Sequence, residues 1–340
     1  MKEYRRSRAK VIETIRQYFG EQGFLETDTP SFVLSPGMEP HIRPIKIEGT
    51  KAFLPTSPEF AMKRILAQGY EKIFQVCKAY RHEPASATHN PEFTILEWYR
   101  AHVDYTAIME DVEALFERIA QNLFGKAAFE TETRGAQDLS RPWPRLTVEE
   151  CFRRFAGLEL RELLDVSAMA QACVAKGWAG REALLPSVLA QPGAWDDLFF
   201  RVMLNAVEPG LAKLGKPVIV YLYPESQAAL ANLETDSKGC RWAKRFEVYA
   251  GGLELGNAFD ELVNPFEQRR RFEKDMELRK SLYGESFPIS PIDEGFLESL
   301  GSMPKAGGIA MGVDRMVMYF TGAASIHEVL WLPSHWPETP

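Results

Sequence analysis

Apolar residues recur along the chain at helical spacing in some stretches and at strand spacing in others, and the order of these stretches already suggests a fold. Residues 5 to 22 set Ile12, Ile15 and Phe19 on one helical face and stop at Gly23. Phe24 to Thr29 then reads as a strand closed by Pro30. A second helix is announced by Ser57 as N-cap and Pro58 at the first helical position, carries Met62, Ile65 and Leu66 on one face, and ends at Gly69. Residues 72 to 80 and 93 to 99 read as two strands around a polar loop, 81 to 92. From 104 to 214 the pattern is mostly helical, interrupted by Arg141-Pro142-Trp143-Pro144, and Val218 to Leu222 is an apolar strand. Strands return at Phe246 to Ala250 and Leu253 to Phe259, joined by Gly251-Gly252, and at Gly307 to Val313, which leads into a helix capped by Asp314.

Strands joined by hairpins, with helices in separate blocks, predict an α+β fold around an antiparallel sheet rather than a doubly wound parallel one. There is no glycine-rich dinucleotide fingerprint and no P-loop, so a nucleotide would have to be held by other means. The expected organisation is one catalytic domain over residues 1–340, with a helical insertion around 104–214.

Composition narrows the function. With 45% hydrophobic residues the 340-residue chain can bury a substantial core, and no apolar run approaches the ~20 residues that cross a bilayer. The start lacks the apolar stretch of a signal peptide, so the expectation is a cytoplasmic protein with no membrane contact. A formal net charge of −7 argues against an extensive nucleic-acid surface. The basic run Arg269-Arg270-Arg271, continuing to Lys274, alternates with acids and reads as a solvated helix face. Cys77, Cys151, Cys173 and Cys240 are scattered without zinc-site spacing and are expected to be buried thiols.

The hairpin at 246 to 259 carries the most local information. A two-residue Gly-Gly turn pairs Ala250 with Leu253 and Tyr249 with Glu254, which puts Glu247 on the same face as Glu254, diagonally across at ~7–8 Å. Two converging carboxylates suit a hard cation such as Mg²⁺, which binds through one or two carboxylates and substrate phosphates; the plain alternative is a solvent-facing acidic pair. Asn257, Phe259 and Glu261 would face away from Glu254 in an unbroken strand, unless Gly256 introduces a bulge. Parity leaves this open. In the 81 to 92 loop, Arg81 offers planar donors matched to phosphate and Phe93 a ring that could stack on a purine, although an isolated Arg-x-Glu is more often a surface pair. Gly307 to Val313 brackets a strand with small residues that permit close ligand approach, and the following helix delivers Arg315.

Taken in order, these segments resemble the three motifs of class II aminoacyl-tRNA synthetases. The helix and strand ending at Pro30 are similar to motif 1, Arg81-His82-Glu83 through Phe93 to motif 2, and Gly312-Val313-Asp314-Arg315 to motif 3. Ser57-Pro58-Glu59, the segment His89 to Thr94 with Glu97 and Tyr99, and Gly256 to Phe259 with Glu261 are similar to lysyl-tRNA synthetases. The resemblance covers most of residues 5 to 323. It implies ATP as co-substrate, with Arg81 and Arg315 as the catalytic arginines on the α- and γ-phosphates. Glu83 would lie on the adenine side and Phe93 would stack on the base; His82, Asn90, Leu255 and Gly312 complete the implied nucleotide contacts. Glu247 and Glu254 would hold Mg²⁺. The amino acid would lie among Ser57, Pro58, Glu59, Glu97, Tyr99 and Ala310, with Asn257 and Phe259, and with Glu261 facing its side-chain ammonium.

Lysyl-tRNA synthetases carry an N-terminal anticodon-binding OB-fold, for which this sequence has no room before motif 1. Together with the acidic charge, this resembles the short paralogue family of elongation factor P–(R)-β-lysine ligases, as do Leu96 to Arg100, Ser226 to Ala231, and Ala310 where lysyl-tRNA synthetases usually have Gly. His82 stands where the family usually has Asn, and Pro84 to Thr88 diverges locally. The resemblance implies adenylation of β-lysine or lysine, transfer to a lysine of elongation factor P, and a homodimer. A truncated lysyl-tRNA synthetase and a non-catalytic synthetase-like regulator are the alternatives.

Overall fold

The computed structural model describes residues 2–333 except 285, 286 and 289. Eleven strands are described: β1 Leu25–Glu26, β2 Lys72–Tyr80, β3 Glu92–Ala101, β4 Ala128–Thr131, β5 Gly135–Asp138, β6 Arg145–Thr147, β7 Val218–Pro224, β8 Leu233–Thr235, β9 Arg241–Ala250, β10 Leu253–Asp260 and β11 Ala306–Gly312. Nine of them form one sheet in the order β1-β2-β3-β11-β10-β9-β7-β6, with β8 also paired to β9, while β4 and β5 make a separate hairpin. Its central pairings are antiparallel, and the outer pairs β1/β2 and β6/β7 are parallel. The expected α+β class is the observed one.

The sheet separates two cores. On one side Phe74, Leu96, Trp98, Val248, Leu255 and Ile309 pack against the helices Lys2–Glu21, Tyr105–Phe124 and Val313–Thr321. The other side carries Ile73, Tyr99, Tyr249 and Phe259, and the helix Glu59–Ala67 and much of 148–212 lie over it. The alternation is what a sheet buried on both faces requires: successive residues of β3, such as Trp98 and Tyr99, supply opposite cores. The stretch 104–214 contributes to both, since Tyr105–Phe124 belongs to the first core and β6 extends the sheet beyond β7. That first helix is capped as its sequence suggests, by Asp104 accepting from Thr106 N and by Gly125 in the left-handed region.

Three local expectations shift. The strand expected at 24 to 29 shrinks to the two residues of β1, an edge strand that soon meets Pro30, which has no N–H to donate. The second helix begins one residue later than expected: Pro58 holds the cap position, and Ser57 Oγ accepts from Glu59 N at 3.0 Å. Asp314 does not cap the helix Val313–Thr321, whose N-cap is Gly312; its carboxylate instead accepts from Thr94 N at 2.8 Å and from Arg8. An acid in the first turn still suits the positive helix end, but here it ties the first helix to β3 and to the helix Val313–Thr321. Cys151 and Cys173 are buried thiols, whereas Cys77 and Cys240 are partly exposed.

Candidate active site

The Gly251-Gly252 turn, both residues at positive φ (56° and 79°), joins β9 to β10 with the expected pairing of Ala250 with Leu253 and Tyr249 with Glu254. The ladder then slips: Gly256 pairs with Val248 and Asn257 with Glu247, so Leu255 is the extra residue of a bulge. The bulge resolves the question parity left open, bringing Asn257 and Phe259 to the face of Glu247 and Glu254. One row of directly paired residues now crosses five strands: Glu247, Asn257, Ala310, Glu97 and Gln75. The next row holds Arg245, Phe259, Gly308, Tyr99 and Ile73.

Above these rows lies a cavity of about 1170 Å³. Among the residues singled out from the sequence, Ser57, Glu59, Arg81, Glu83, Asn90, Phe93, Glu254, Leu255, Asn257, Phe259, Ala310, Gly312 and Arg315 line it. Pro58, His82, Glu97, Tyr99, Glu247 and Glu261 are not among its lining residues, though several sit directly behind its wall.

At one end the groups are cationic. The Arg81 guanidinium lies 5.0 Å from the Phe93 ring centroid, and its buried Nε has no hydrogen-bond partner. A stacked arginine with a donor to spare is well suited to an anion. Arg315 donates through Nη1 to the Glu254 carbonyl at 3.0 Å and through Nε to the Thr88 carbonyl at 3.2 Å, and its Nη2 lies 2.8 Å from His89 Nε2. With arginine as the donor, Nε2 of His89 is the acceptor and the ring is neutral, in keeping with partial burial and the Arg315 charge holding its pKa below the ordinary range. The motif-2-like loop is further held by Ile326 N donating to the Ala87 carbonyl, and the His82 amide donates to Arg43 O.

The other end is acidic. Glu97, wholly buried, accepts from Ser57 Oγ at 2.5 Å and Tyr99 OH at 2.8 Å; burial, then the Glu59 charge, raises it to about 8. Glu261 is likewise raised to about 8 by burial, against the lowering effect of Lys63. Lys63 Nζ lies 2.5 Å from Glu59 Oε1 and 2.6 Å from Glu261 Oε2. Burial alone would lower the lysine, but the two carboxylates outweigh it and hold it above its usual value. Gly308 makes this crowding possible: a Cβ there would overlap the Tyr99 ring and Glu261 Oε1.

Between the two ends stand Glu247 and Glu254. Tyr223 and Tyr249 hydroxyls donate to Glu247 Oε2 at 2.6 and 2.5 Å, and Arg245 donates to Oε1 at 2.5 Å. Arg245 Nε also donates to Asn257 Oδ1 at 2.9 Å. Glu254 opens to the cavity, yet the surrounding protein and then the Glu247 charge push it up to about 7. That excess of negative charge fits a hard divalent cation, and oxygen donors are the right kind. Among the described residues no group of three or more His, Cys, Asp or Glu side chains forms a metal cage. A cation here would therefore depend on phosphate oxygens as well.

Lys63, Arg245 and Tyr223 were not singled out from the sequence, and Gly308 was noted only as one of the small residues of 307 to 313. For Lys63 the signal was present, a Glu-x-x-x-Lys spacing at the start of a helix whose neighbours Met62 and Leu66 are apolar. The basic run at 269 to 271 divides: Arg269 pairs with Glu294 and Arg270 with Glu267 on the surface as expected, while Arg271 turns in to donate to the carbonyls of Ala229 and Ala231.

The family model described as tRNA synthetases class II (D, K and N) matches residues 1–335. The protein named elongation factor P–(R)-beta-lysine ligase from Edwardsiella ictaluri is 35% identical over 332 residues, covering 95% of this chain and 92% of that protein. Proteins of the same name from Salmonella paratyphi B and Salmonella gallinarum are 33% and 34% identical, with the same coverage of each chain.

Proposed function

The chain belongs to the class II tRNA synthetases of the D, K and N group and, within them, to the elongation factor P–(R)-β-lysine ligase family, and from that premise we propose that it activates (R)-β-lysine or lysine with ATP and transfers the aminoacyl group to a lysine side chain of elongation factor P. The observation that carries the reading is the polarity of the cavity, with Arg81 and Arg315 at one end and Glu59, Glu97 and Glu261 around a lone Lys63 at the other. Three carboxyl groups face one ammonium, and burial holds two of them, Glu97 and Glu261, ready to ionise when further cations arrive, the complement of an amino acid that carries two ammonium groups.

In this reading Glu59, Glu97 and Glu261 orient the amino acid so that its carboxylate points toward Arg81. Attack of that carboxylate on the ATP α-phosphorus breaks the bond to pyrophosphate and needs no covalent enzyme intermediate. Arg81, with its unpaired Nε, neutralises charge developing on the α-phosphate, and Arg315 draws on the γ-phosphate in exchange for its contact with His89. Phe93 and Glu83 would receive the adenine, and Asn257 and Ala310 would close the floor beneath the amino acid. Mg²⁺, held by Glu254 and Glu247, would supply charge neutralisation at the leaving phosphates. The acceptor amine then attacks the adenylate carbonyl, forming an amide and releasing AMP. Names of the relatives support elongation factor P as acceptor.

The reading includes a single catalytic unit, in keeping with the family match over residues 1–335, and a homodimer through the first helix and β1. The exposure of Leu25, Phe32 and Leu34 in that region supports the dimer. A cytoplasmic location is part of the proposal; no helix among the described residues is long and apolar enough to cross a membrane.

The test offers purified protein ATP, Mg²⁺ and either (R)-β-lysine or lysine, with elongation factor P and total tRNA as competing acceptors, and follows acceptor masses. A gain equal to the aminoacyl group on the factor supports the proposal. Gain on tRNA alone makes the chain a tRNA synthetase, and absence of amino-acid-dependent pyrophosphate exchange removes the first step altogether.

A further inference from the structure

A lysine is an unexpected residue at the buried face of the helix Glu59–Ala67. Lys63 is 1% exposed and flanked in sequence by Met62 and, one turn away, Leu66, both fully buried. An ammonium removed from water is tolerated only when paired and hydrogen-bonded. Here it spans two elements, reaching Glu59 on its own helix and Glu261 just beyond β10, at 2.5 and 2.6 Å. The pairing is lopsided. Glu261 gives Oε2 to the lysine as an ion pair, neither of its buried oxygens has a hydrogen bond of good geometry, and Oε1, lying over Gly308, faces no cation. Glu59 also lines the cavity. The lysine thus occupies part of each carboxylate and leaves an acceptor on Glu261 for something else.

We propose that Lys63 is a positioning residue for the amino-acid site: its ammonium draws Glu59 and Glu261 into one fixed arrangement and sets the pocket's charge to match a substrate with two ammonium groups. The inference rests on the functional reading above for the substrate class, though not for the arrangement itself. Around the lysine stand Glu59 on its helix and Glu261 beyond β10, its ion-pair partners, and Glu97 on β3, while Tyr99 on β3, Asp260 at the end of β10 and Glu39 on the chain before β2 face those carboxylates. Apart from Tyr99 these are carboxylates. The Lys63 charge lowers both Glu97 and Glu261. Without it, these acids, already raised by burial, would be driven further toward the protonated form, which pairs less well with an ammonium.

The experiment compares the intact protein with Lys63→Met, which keeps the long stem, and Lys63→Arg, which keeps the charge. In amino-acid-dependent pyrophosphate exchange, Lys63→Met should raise the KM for the diamino acid about tenfold or more while leaving the KM for ATP within about twofold. The acidic limb of kcat/KM for the amino acid should move about one unit toward alkaline pH, because Glu261 and Glu97 now ionise later. Lys63→Arg should recover a part of both effects. An unchanged pH limb in folded Lys63→Met overturns the proposal, as does equal loss in KM for ATP and amino acid.

If the unaltered protein exchanges no pyrophosphate with any diamino acid, the functional reading fails and the lysine is judged by melting alone. The Tm deficit of Lys63→Met should then grow as pH rises through about 8, the value at which Glu97 and Glu261 ionise beside Lys63, because the variant's acids have no cation to ionise against. A deficit independent of pH would make Lys63 merely a packing residue and overturn the proposal even then.

Discussion

Asn257 stands directly opposite Glu247 across the β9/β10 pair, although Glu254, three residues earlier, stands opposite Tyr249 on that same face. An odd spacing on one face is possible only because Leu255 is extra to the ladder. Deleting Leu255 removes the extra residue, so Glu254, Gly256 and Asn257 alternate regularly against Tyr249, Val248 and Glu247 with their faces kept, while the local twist of the bulge and the buried leucine side chain are lost. The expected result is reduced pyrophosphate exchange, because Glu254 is re-aimed, together with a lower Tm. The substitution Leu255→Ala keeps the bulge, and it should cost about 2–5 kcal/mol of stability by denaturant titration while retaining exchange. Equal loss of exchange in both variants would mean that side-chain packing, not the bulge geometry, sets the site.

Arg81→Lys tests the planar donor. A lysine preserves the charge but cannot stack flat over Phe93 or present a fork to phosphate. Pyrophosphate exchange should fall by about 10²–10³ in kcat, the cost of removing one preorganised donor, with the melting temperature nearly unchanged. Full activity in the variant would show that charge alone suffices at this position.

Gly308→Ala places a methyl group against the Tyr99 ring and Glu261 Oε1. Overpacking of this kind costs about 1–3 kcal/mol. Because the crowding lies under the amino-acid end of the cavity, the KM for the amino acid should rise more than that for ATP. Steady-state kinetics with each substrate varied in turn separate the two.

The pH dependence of stability follows from acids whose folded pKa values are raised. Glu97 and Glu261 stand at about 8 and Glu254 at about 7. A raised acid binds more protons folded than unfolded, so its contribution is present below the ordinary carboxylate range and is lost as pH climbs through the folded value. The Tm of ligand-free protein should therefore decline from about pH 5 to about pH 8.5. Glu97→Gln, which cannot ionise, should flatten part of that decline, and scanning calorimetry across the range would register it.

Arg8 and Asp314 form a buried ion pair that joins the first helix to the last long one, with Arg8 also donating to Thr94 Oγ1 at 2.8 Å. Arg8→Met leaves Asp314 with a buried charge and only the Thr94 amide for a partner. A loss of about 3–5 kcal/mol is expected in urea titration. Asp314→Asn should cost less, since the amide oxygen can still accept from Thr94 N.

Much of the fold was legible because its signals are local. The strand at 72 to 80 is observed with those very bounds, since its ends are marked by a turn and a polar loop, and the Gly-Gly hairpin dictated its own pairing. What escaped depended on partners distant in sequence. Asp314 looks like a cap until β3 and Arg8 arrive beside it. The bulge at Leu255 is settled by how Leu255, Gly256 and Val248 pack into the first core, which no count of alternation contains. In the candidate site, the ligand-facing residues stood out by type and order, whereas Lys63 and Gly308 act through residues far from them in the chain. A lysine at helical spacing reads as a solvated charge until the strand carrying Glu261 closes over it.

The row Glu247, Asn257, Ala310, Glu97 and Gln75 has a consequence for how the protein comes to life. Its members are drawn from the first third and the last third of the chain, and each sits on a different strand. Neither end of the chain alone holds the whole row. Loop closure over such separations is slow and entropically costly, so the ability to bind substrate should emerge late, when β11 slots between β3 and β10. During synthesis the nascent chain would remain inert until that strand has left the ribosome, and an incomplete product could not activate an amino acid that it has no means to deliver.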